Sequence, residues 1–272
     1  MNGMGGEENR FSRYNMAFYN RAILKRIDEL KFESIEGYME FFRKDDGEKD
    51  ILNDSLRISY SEFFRNPLTC AVLERLLLPL VITKKTNARR NEMRIWSASC
   101  AGGQEPYTLA ILLEEQRKKI SSGLTYRIFA TDIAADALAE AKNGLYEYSD
   151  VKNVSLTRLD EWFERRALQY EVKPVLKERI EFSEFDLFSE NASCPPGSIF
   201  GDFDLVVCAN VLFYYTKEYQ DKILEKASLC LAPDGFLMTG ETEREIVMNN
   251  GWAEVYPQSA IFKLRSRGRK KT

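Results

Sequence analysis

The sequence predicts an α/β fold: a doubly wound, mostly parallel sheet, preceded by a small N-terminal helical domain. Three observations carry this. From residue 94 onward, short apolar runs alternate with stretches of helical periodicity. One run, Asp204–Ala209 (DLVVCA), is apolar after its first residue, as expected of a strand buried on both faces. A third stretch, Arg94–Glu114 (RIWSASCAGGQEPYTLAILLE), reads as strand, glycine-bearing turn and helix, the layout in which an open sheet meets a ligand.

Taken in order, the first elements are helical. Phe11–Phe32 interleaves Arg13, Arg21, Lys25, Arg26 and Lys31 with apolar residues, and Ile35–Arg43 forms a second helix. Lys44–Asp50 (KDDGEKD) reads as a polar turn. Ser61–Arg65 is expected to open an apolar helix that continues through Pro67–Val81, and the charged Lys84–Glu92 to connect it to the main domain. The expected domains are therefore residues 1–83 and 84–272. Strands are expected at Arg94–Ala98, Tyr126–Thr131, Ile180–Phe185, Asp204–Ala209, Gly235–Thr239 and Ala260–Lys263. Helices are expected at Pro106–Lys119, Ala135–Asn143, Leu156–Glu164 and Lys217–Leu231, with Ala232–Gly235 (APDG) as a turn.

Composition narrows the function. The chain has 272 residues, 44% hydrophobic and 30% charged, with a net charge of −3. That balance predicts neither nucleic-acid nor membrane binding. The basic tail Lys263–Thr272 has no interleaved aromatics and reads as solvated. No run of 18 apolar residues and no signal-peptide core is present, so a cytoplasmic, non-inserted protein is expected, with a monomer as the default. The five cysteines (70, 100, 194, 208, 230) include no CxxC pair and indicate neither a disulfide framework nor a zinc site. Histidine is absent, which excludes Ser-His-Asp and Cys-His catalysis and His-ligated metals.

Polar groups cluster at the expected strand ends. Gly102 and Gly103 let the backbone approach a ligand, and Glu105 stands just before Pro106 at the helix start. Asp132, Asp186 and Asn210 end the next three strands in turn. The turn lacks the full GxGxxG, and an acid at Glu105 repels a pyrophosphate. A ligand with a ribose and an ammonium group fits better: S-adenosylmethionine offers a diol to Asp132 and a cation to the acid. Each acid taken alone fits a helix cap equally well.

An ordered series of segments resembles the chemoreceptor glutamate methyltransferases (CheR type). It comprises Ser61–Arg65 (SEFFR), Ile95–Tyr107, Ala130–Ala137, Gly144–Tyr148 (GLYEY), Phe203–Tyr215 and Leu231–Gly240, over roughly residues 30–264. The resemblance implies a Rossmann-like methyltransferase domain with a short strand-rich insertion at about 162–182. It implies that Ser59, Ser61 and Arg65 face S-adenosylmethionine. Ala101 and Gly102 lie against it in the turn, and Glu105 holds its ammonium end. Asp132, beside Ile133, takes the ribose hydroxyls. Asp186 and Leu187 flank the adenine, and Asn210 and Val211 line the floor near the methyl. Arg65 and Tyr214 are implied as the catalytic pair. As readings of the residues alone, Arg65 also fits a surface ion pair and Tyr214 core packing.

A glutamate side chain, with a pKa near ~4.3, is ionised at neutral pH and needs no general base to attack a methyl group. The expected product is a glutamate methyl ester, and the expected partner the cytoplasmic helices of a methyl-accepting chemoreceptor. Three departures stand out: serines at 59 and 61 where the family often has Asn and Thr, Ala209 where Arg is frequent, and Glu241 where His is common. The segment ERRALQYEVKP lacks the glycines of members that grip a receptor's C-terminal tethering peptide, so no such tether is expected. Another carboxylate or small-molecule acceptor, or a non-catalytic cofactor-binding module, are the competing readings.

Overall fold

The computed structural model describes residues 11–57, 60–86, 91–120, 123–198 and 201–265. The chain forms two compact units: Met1–Ile58 with Phe213–Asp221, and Ser59–Leu212 with Lys222–Thr272.

The first unit is helical. Asn15 starts the helix Met16–Leu30 by accepting from Ala17 N at 2.8 Å and Phe18 N at 3.2 Å. Ser34 caps Ile35–Lys44 in the same manner. The expected polar turn is instead the start of a third helix, Asp46–Ser55. Asp45 caps it by accepting from Glu48 N at 2.8 Å, so the run of acids serves the helix N-terminus rather than a loop. Tyr14, Ile23, Tyr38, Phe42, Leu52 and Leu56 form its core, with Tyr215 packed against them. The segment Phe213–Asp221 joins by pairing Tyr215 with Tyr14, whose rings stack at 5.3 Å. Asn15 N also donates to Tyr214 O at 2.8 Å, and Thr216 N to Arg13 O at 2.9 Å.

A charge is buried in this unit. Glu48 is 3% exposed and receives a bidentate Arg26 at 2.8 and 2.7 Å and the Tyr38 hydroxyl at 2.9 Å. The guanidinium holds the Glu48 carboxyl below its usual range against the opposing effect of burial.

The second unit is the α/β domain the sequence predicts. Among the described residues its main sheet has seven strands in the order β6-β2-β1-β7-β8-β10-β9. These are β1 Glu92–Ala98, β2 Thr125–Asp132, β6 Ile180–Glu184, β7 Phe203–Cys208, β8 Leu231–Thr239, β9 Trp252–Glu254 and β10 Ile261–Leu264. The first five run parallel to one another, and β10 runs antiparallel to β8 and β9. From β1 the chain winds outward to β2 and β6, then returns to place β7 on the other flank of β1. Ligands bind at such a reversal, beyond the carboxyl ends of the strands.

Helices Gln104–Ile120, Ala135–Asn143 and Lys217–Cys230 match the expected ones closely. The expected APDG turn is a bulge within β8: Leu231 pairs with Phe203 and Phe236 with Leu205, so the intervening residues loop out. Gly235 is required there, since a Cβ would lie 2.7 Å from Phe203 O.

The expected helix over Ser61–Arg65 does not form. Asn66 precedes a proline and is extended (φ −112°, ψ 92°), and the helix begins at Pro67, its favoured first position. It runs Pro67–Val72, loosens into a π-helical turn Leu73–Leu77, and resumes as Leu78–Thr86. Gln116 Nε2 donates to Glu74 O within that turn at 2.8 Å. Phe63, Leu73, Leu77 and Ile82 are buried in one core with Ile95, Ile111 and Ile128, so this segment packs as part of the α/β unit.

A second, three-stranded sheet has the order β3-β5-β4, from Leu145–Glu147 (β3), Phe163–Arg166 (β4) and Gln169–Val172 (β5). It draws one strand from the GLYEY motif as well as two from the expected insertion. No helix among the described residues is long and apolar enough to cross a membrane.

The buried pair yields a stability prediction. Arg26→Met leaves the Glu48 carboxylate buried without its cation and is expected to cost about 3–5 kcal/mol of helical-unit stability. Hydrogen exchange of the amides in Met16–Ser55 measures this, and a loss under 1 kcal/mol counts against the pair as a stability element. Adding Glu48→Met is expected to recover most of the loss.

Candidate functional site

Glu105, Asp132, Asp186 and Asn210 lie at or just beyond the C-terminal ends of β1, β2, β6 and β7. At the end of β1 the chain turns through Ser99 (φ 61°) and Ala101 (φ 46°), both in the left-handed region that costs non-glycine residues energy. Asp132, at the end of β2 and 6% exposed, holds this turn. Its Oδ2 accepts from Ala101 N at 2.8 Å and its Oδ1 from Ala134 N at 2.9 Å. A carboxylate has about four acceptor positions, so one remains beyond the Ala101, Ala134 and Ile133 amides for a hydroxyl of a vicinal diol. Burial pushes the Asp132 carboxyl up, while the Ala134 and Ala101 amides pull it back.

Two glycines occupy the turn for different reasons. Gly103 has φ +89°, and a Cβ there would lie 2.8 Å from Ala141 Cβ, so internal packing demands it. At Gly102 a Cβ would meet only the flexible Gln104 side chain. Tyr146, from the GLYEY motif, fixes this point by donating its hydroxyl to Gly102 O at 2.7 Å.

Glu105 follows in the first turn of the helix. Ser97 on β1, fully buried, donates to Glu105 Oε1 at 2.7 Å. No ion pair reaches Glu105 among the described residues; Arg65 acts on it only through its field. Burial pushes the carboxyl up to about 7, helped by the nearby Glu243 charge and opposed by Ser97 and Arg65. A buried acid with an unused oxygen favours a cationic group.

Arg65 lies on the non-helical stretch before Pro67, with Ser61, and both are half-buried. Neighbouring contacts set its position. Phe63 is fully buried with its ring edge-on to Tyr146 (4.9 Å) and Phe163 (5.5 Å). Phe64 turns left-handed (φ 50°) and donates its amide to Thr108 Oγ1 at 3.2 Å. Over the Phe64 ring sits Arg158 at 4.6 Å, which also binds Glu115 twice at 2.8 Å and Glu74 at 2.9 Å. Arg65 itself forms no ion pair among the described residues; its guanidinium lies 5.6 Å from the Tyr60 ring centroid.

On the far side of β2, Phe185 N donates to Asp132 O at 3.0 Å, which places Asp186 and the buried Leu187 beside Asp132 and Ile133. Asp186 turns the chain by accepting from Phe188 N at 2.8 Å. Ile133 is 42% exposed although apolar, a surface suited to the flat face of a base.

The end of β7 is held by a residue the sequence reading does not single out. Glu243, completely buried, accepts from Asn210 N (2.9 Å), Leu212 N (2.6 Å) and Gly240 N (2.7 Å). Asn210 sits at φ 63°, and its amide side chain fills the space a Cβ on Gly240 would take. Glu243 therefore fixes Asn210 and the buried Val211. Nothing in its setting among Glu241, Glu245 and Arg244 distinguishes it in sequence from an exposed helical acid. Arg158 goes unnoticed for the same reason: its partners Glu115 and Glu74 are distant in the chain. Ser59 lies outside the described residues. Tyr214 belongs to the helical unit, where its ring meets Phe18 edge-on at 4.6 Å and Phe213 at 4.2 Å. Among the described residues, no group of acidic and cysteine side chains is arranged to hold a metal ion.

The sequence profile of the family described as "CheR methyltransferase, SAM binding domain" matches residues 59–262, three-quarters of the chain. The chain belongs to the CheR methyltransferase family. A chemotaxis protein methyltransferase 1 of Pseudomonas aeruginosa is 32% identical over 203 residues, covering 72% of this chain and 70% of that one. A chemotaxis protein methyltransferase of Borreliella burgdorferi is 28% identical over 215 residues, covering 78% and 74%. A 104.1 kDa protein of Rhodobacter capsulatus is 28% identical over 260 residues; the match takes in 95% of this chain but 26% of that protein. S-adenosylmethionine is the cofactor of this CheR-family domain, and the acids at Glu105 and Asp132 fit its ammonium group and ribose.

Two predictions follow from these carboxylates. The Glu105 carboxyl is raised in the folded apo protein, so the stability it contributes is present below its ordinary value near 4.5 and is lost as pH rises toward about 7. Cofactor binding at Glu105 is expected to select the ionised form and release a proton, so affinity by calorimetry should rise with pH through about 7. Glu105→Gln should flatten that profile, weaken binding tenfold or more and raise the apo thermal midpoint at pH 8. An unchanged pH profile removes Glu105 from the ammonium site. Separately, Glu243→Ala leaves buried amides without an acceptor and should lower stability by about 2–4 kcal/mol, read by denaturant unfolding.

Proposed function

We propose that the protein transfers a methyl group to glutamate side-chain carboxylates of a chemoreceptor, giving methyl esters, without a C-terminal tethering peptide. The observation that carries this reading is the opposition of Glu105 and Arg65. Among the described residues, Glu105 is a buried acid without a paired cation, and Arg65 is a nearby cation without a paired acid. The first suits the amino-acid end of the donor and the second a carboxylate acceptor.

When bound, S-adenosylmethionine supplies an electrophilic methyl group on its sulfonium. Glu105, braced by Ser97, holds the ammonium, and Asp132 takes the ribose hydroxyls. Ile133, Asp186 and Leu187 enclose the adenine. Asn210 and Val211, fixed by Glu243, line the floor beside the methyl. Arg65 holds the acceptor carboxylate with one oxygen free to attack, as a planar guanidinium does. Its aim is set by Phe63, held edge-on by Tyr146 and Phe163, and by Phe64, covered by Arg158. No residue must remove a proton from the acceptor, in keeping with a chain that lacks histidine.

The absence of a tether has support in the small sheet. Its edge strand β4 carries Glu164, Arg165 and Arg166 exposed, and Arg166 is occupied by Glu164 (2.9 Å) and Glu171 (3.0 Å). A charged, self-paired edge resists strand addition.

Radiolabelled methyl transfer to receptor-enriched membranes, followed by base-labile methanol release, tests the proposal. Label on the receptor is the expected result. Label confined to a small molecule points to another acceptor, and binding without transfer to a non-catalytic module. Arg65→Ala is expected to reduce transfer at least 1,000-fold while cofactor binding persists within tenfold; an unchanged rate removes the acceptor role. Micromolar binding of a receptor C-terminal peptide in calorimetry overturns the untethered reading.

A further inference from the structure

Cys194 and Cys230 are 36 residues apart in sequence, yet their Sγ atoms lie 2.7 Å from each other. Cys230 ends the helix Lys217–Cys230 and is fully buried, whereas Cys194 is partly exposed in the stretch that follows β6. Several features build this meeting. Lys226, one helical turn before Cys230, donates to Ser189 O at 2.6 Å and Ala192 O at 3.1 Å, drawing the loop onto the helix. The Cys230 thiol donates to Ser193 O at 2.9 Å. Gly201, at φ +62°, leaves the necessary room: a Cβ there would lie 2.9 Å from both Cys194 Sγ and Cys230 O.

We propose that Cys194 and Cys230 are a redox modification site, converted by a small-molecule disulfide into an intramolecular disulfide. A sulfur–sulfur bond is about 2.05 Å long, so closure needs the 2.7 Å contact to shorten by roughly 0.7 Å. The exposed Cys194 loses its proton and attacks the oxidant, breaking its S–S bond and releasing one thiolate, which takes up that proton. Cys230 then attacks Cys194 Sγ, releasing the second thiol with the second proton. Two protein thiols are oxidised and one oxidant disulfide is reduced to two thiols. Burial pushes the Cys230 thiol up, and the nearby Lys226 ammonium opposes that rise. Exposure therefore makes Cys194 the entry point and Cys230 the resolving partner.

The bond would fasten the segment running on from Asp186 and Leu187 to the helix end. The other three cysteines have no such neighbour in the described residues: Cys100 and Cys208 are buried at the strand ends, and Cys70 lies in the helix after Pro67.

The test is a redox titration of the full chain with oxidised and reduced glutathione, followed by alkylation in denaturant and peptide mapping. The expected result is a reversible Cys194–Cys230 cross-linked peptide with Cys70, Cys100 and Cys208 alkylated. Hydrogen exchange of residues 186–198 should slow at least tenfold in the oxidised form. In Cys230→Ala, oxidation should stop at a glutathione adduct on Cys194. Five alkylated cysteines at excess oxidant, a stable Cys194 adduct in the wild-type chain, or a cross-link between other residues overturns the proposal.

Discussion

The carboxylate of Asp132, buried between the amides of Ala101 and Ala134, is the interaction on which the candidate ligand site depends. β1 and β2 run in register up to Ala98 and Thr131, and beyond that point the backbone of β1 must leave the sheet. It does so through left-handed Ser99 and Ala101, which L residues adopt at a cost. A charge-assisted bond to the turn amide offsets that cost. Glu243 repeats the device on the other flank of β1, where it holds left-handed Asn210. Two acids, one ending β2 and one following β8, thus hold the turns that leave β1 and β7, and neither can be exchanged for an apolar residue without stranding backbone donors.

The site is electrostatically unbalanced without a ligand. Glu105 and Glu243 repel each other in a dry setting, and Arg65 is too weakly coupled to Glu105 to cancel this. An entering cation relieves the imbalance, so binding energy is gained where the protein alone is least content. The same imbalance disfavours phosphate-rich ligands, which would add a third negative charge beside two acids.

What was legible in the sequence follows physical lines. The central strands announce themselves because parallel strands covered on both faces are apolar without interruption, as in Phe203–Cys208. Glu105, Asp132, Asp186 and Asn210 stand out because polar residues interrupt such runs where a strand ends. Three-residue strands such as Leu145–Glu147 and Trp252–Glu254 are too short to show a period. The helix Asp46–Ser55 was hidden by Gly47 and its acids, although Asp45 followed three residues later by Glu48 carries a cap signal. SEFFR looks helical from its apolar pair, but Pro67 forbids helix just before it, and tertiary packing sends Phe63 inward and turns Phe64 left-handed. Glu48 and Glu243 resist detection because an acid's burial depends on donors from elsewhere in the chain.

The pairing of Tyr215 with Tyr14 also has a consequence for synthesis. The helical unit is made first but includes Phe213–Asp221, which leaves the ribosome about 150 residues after Ile58. At about 5–20 residues per second, the N-terminal helices wait on the order of ten to thirty seconds for their last segment. During that interval Tyr14 and Phe18 have no partners from it. A nascent chain arrested before residue 213 therefore carries this unit unfinished, whatever the state of the strands behind it.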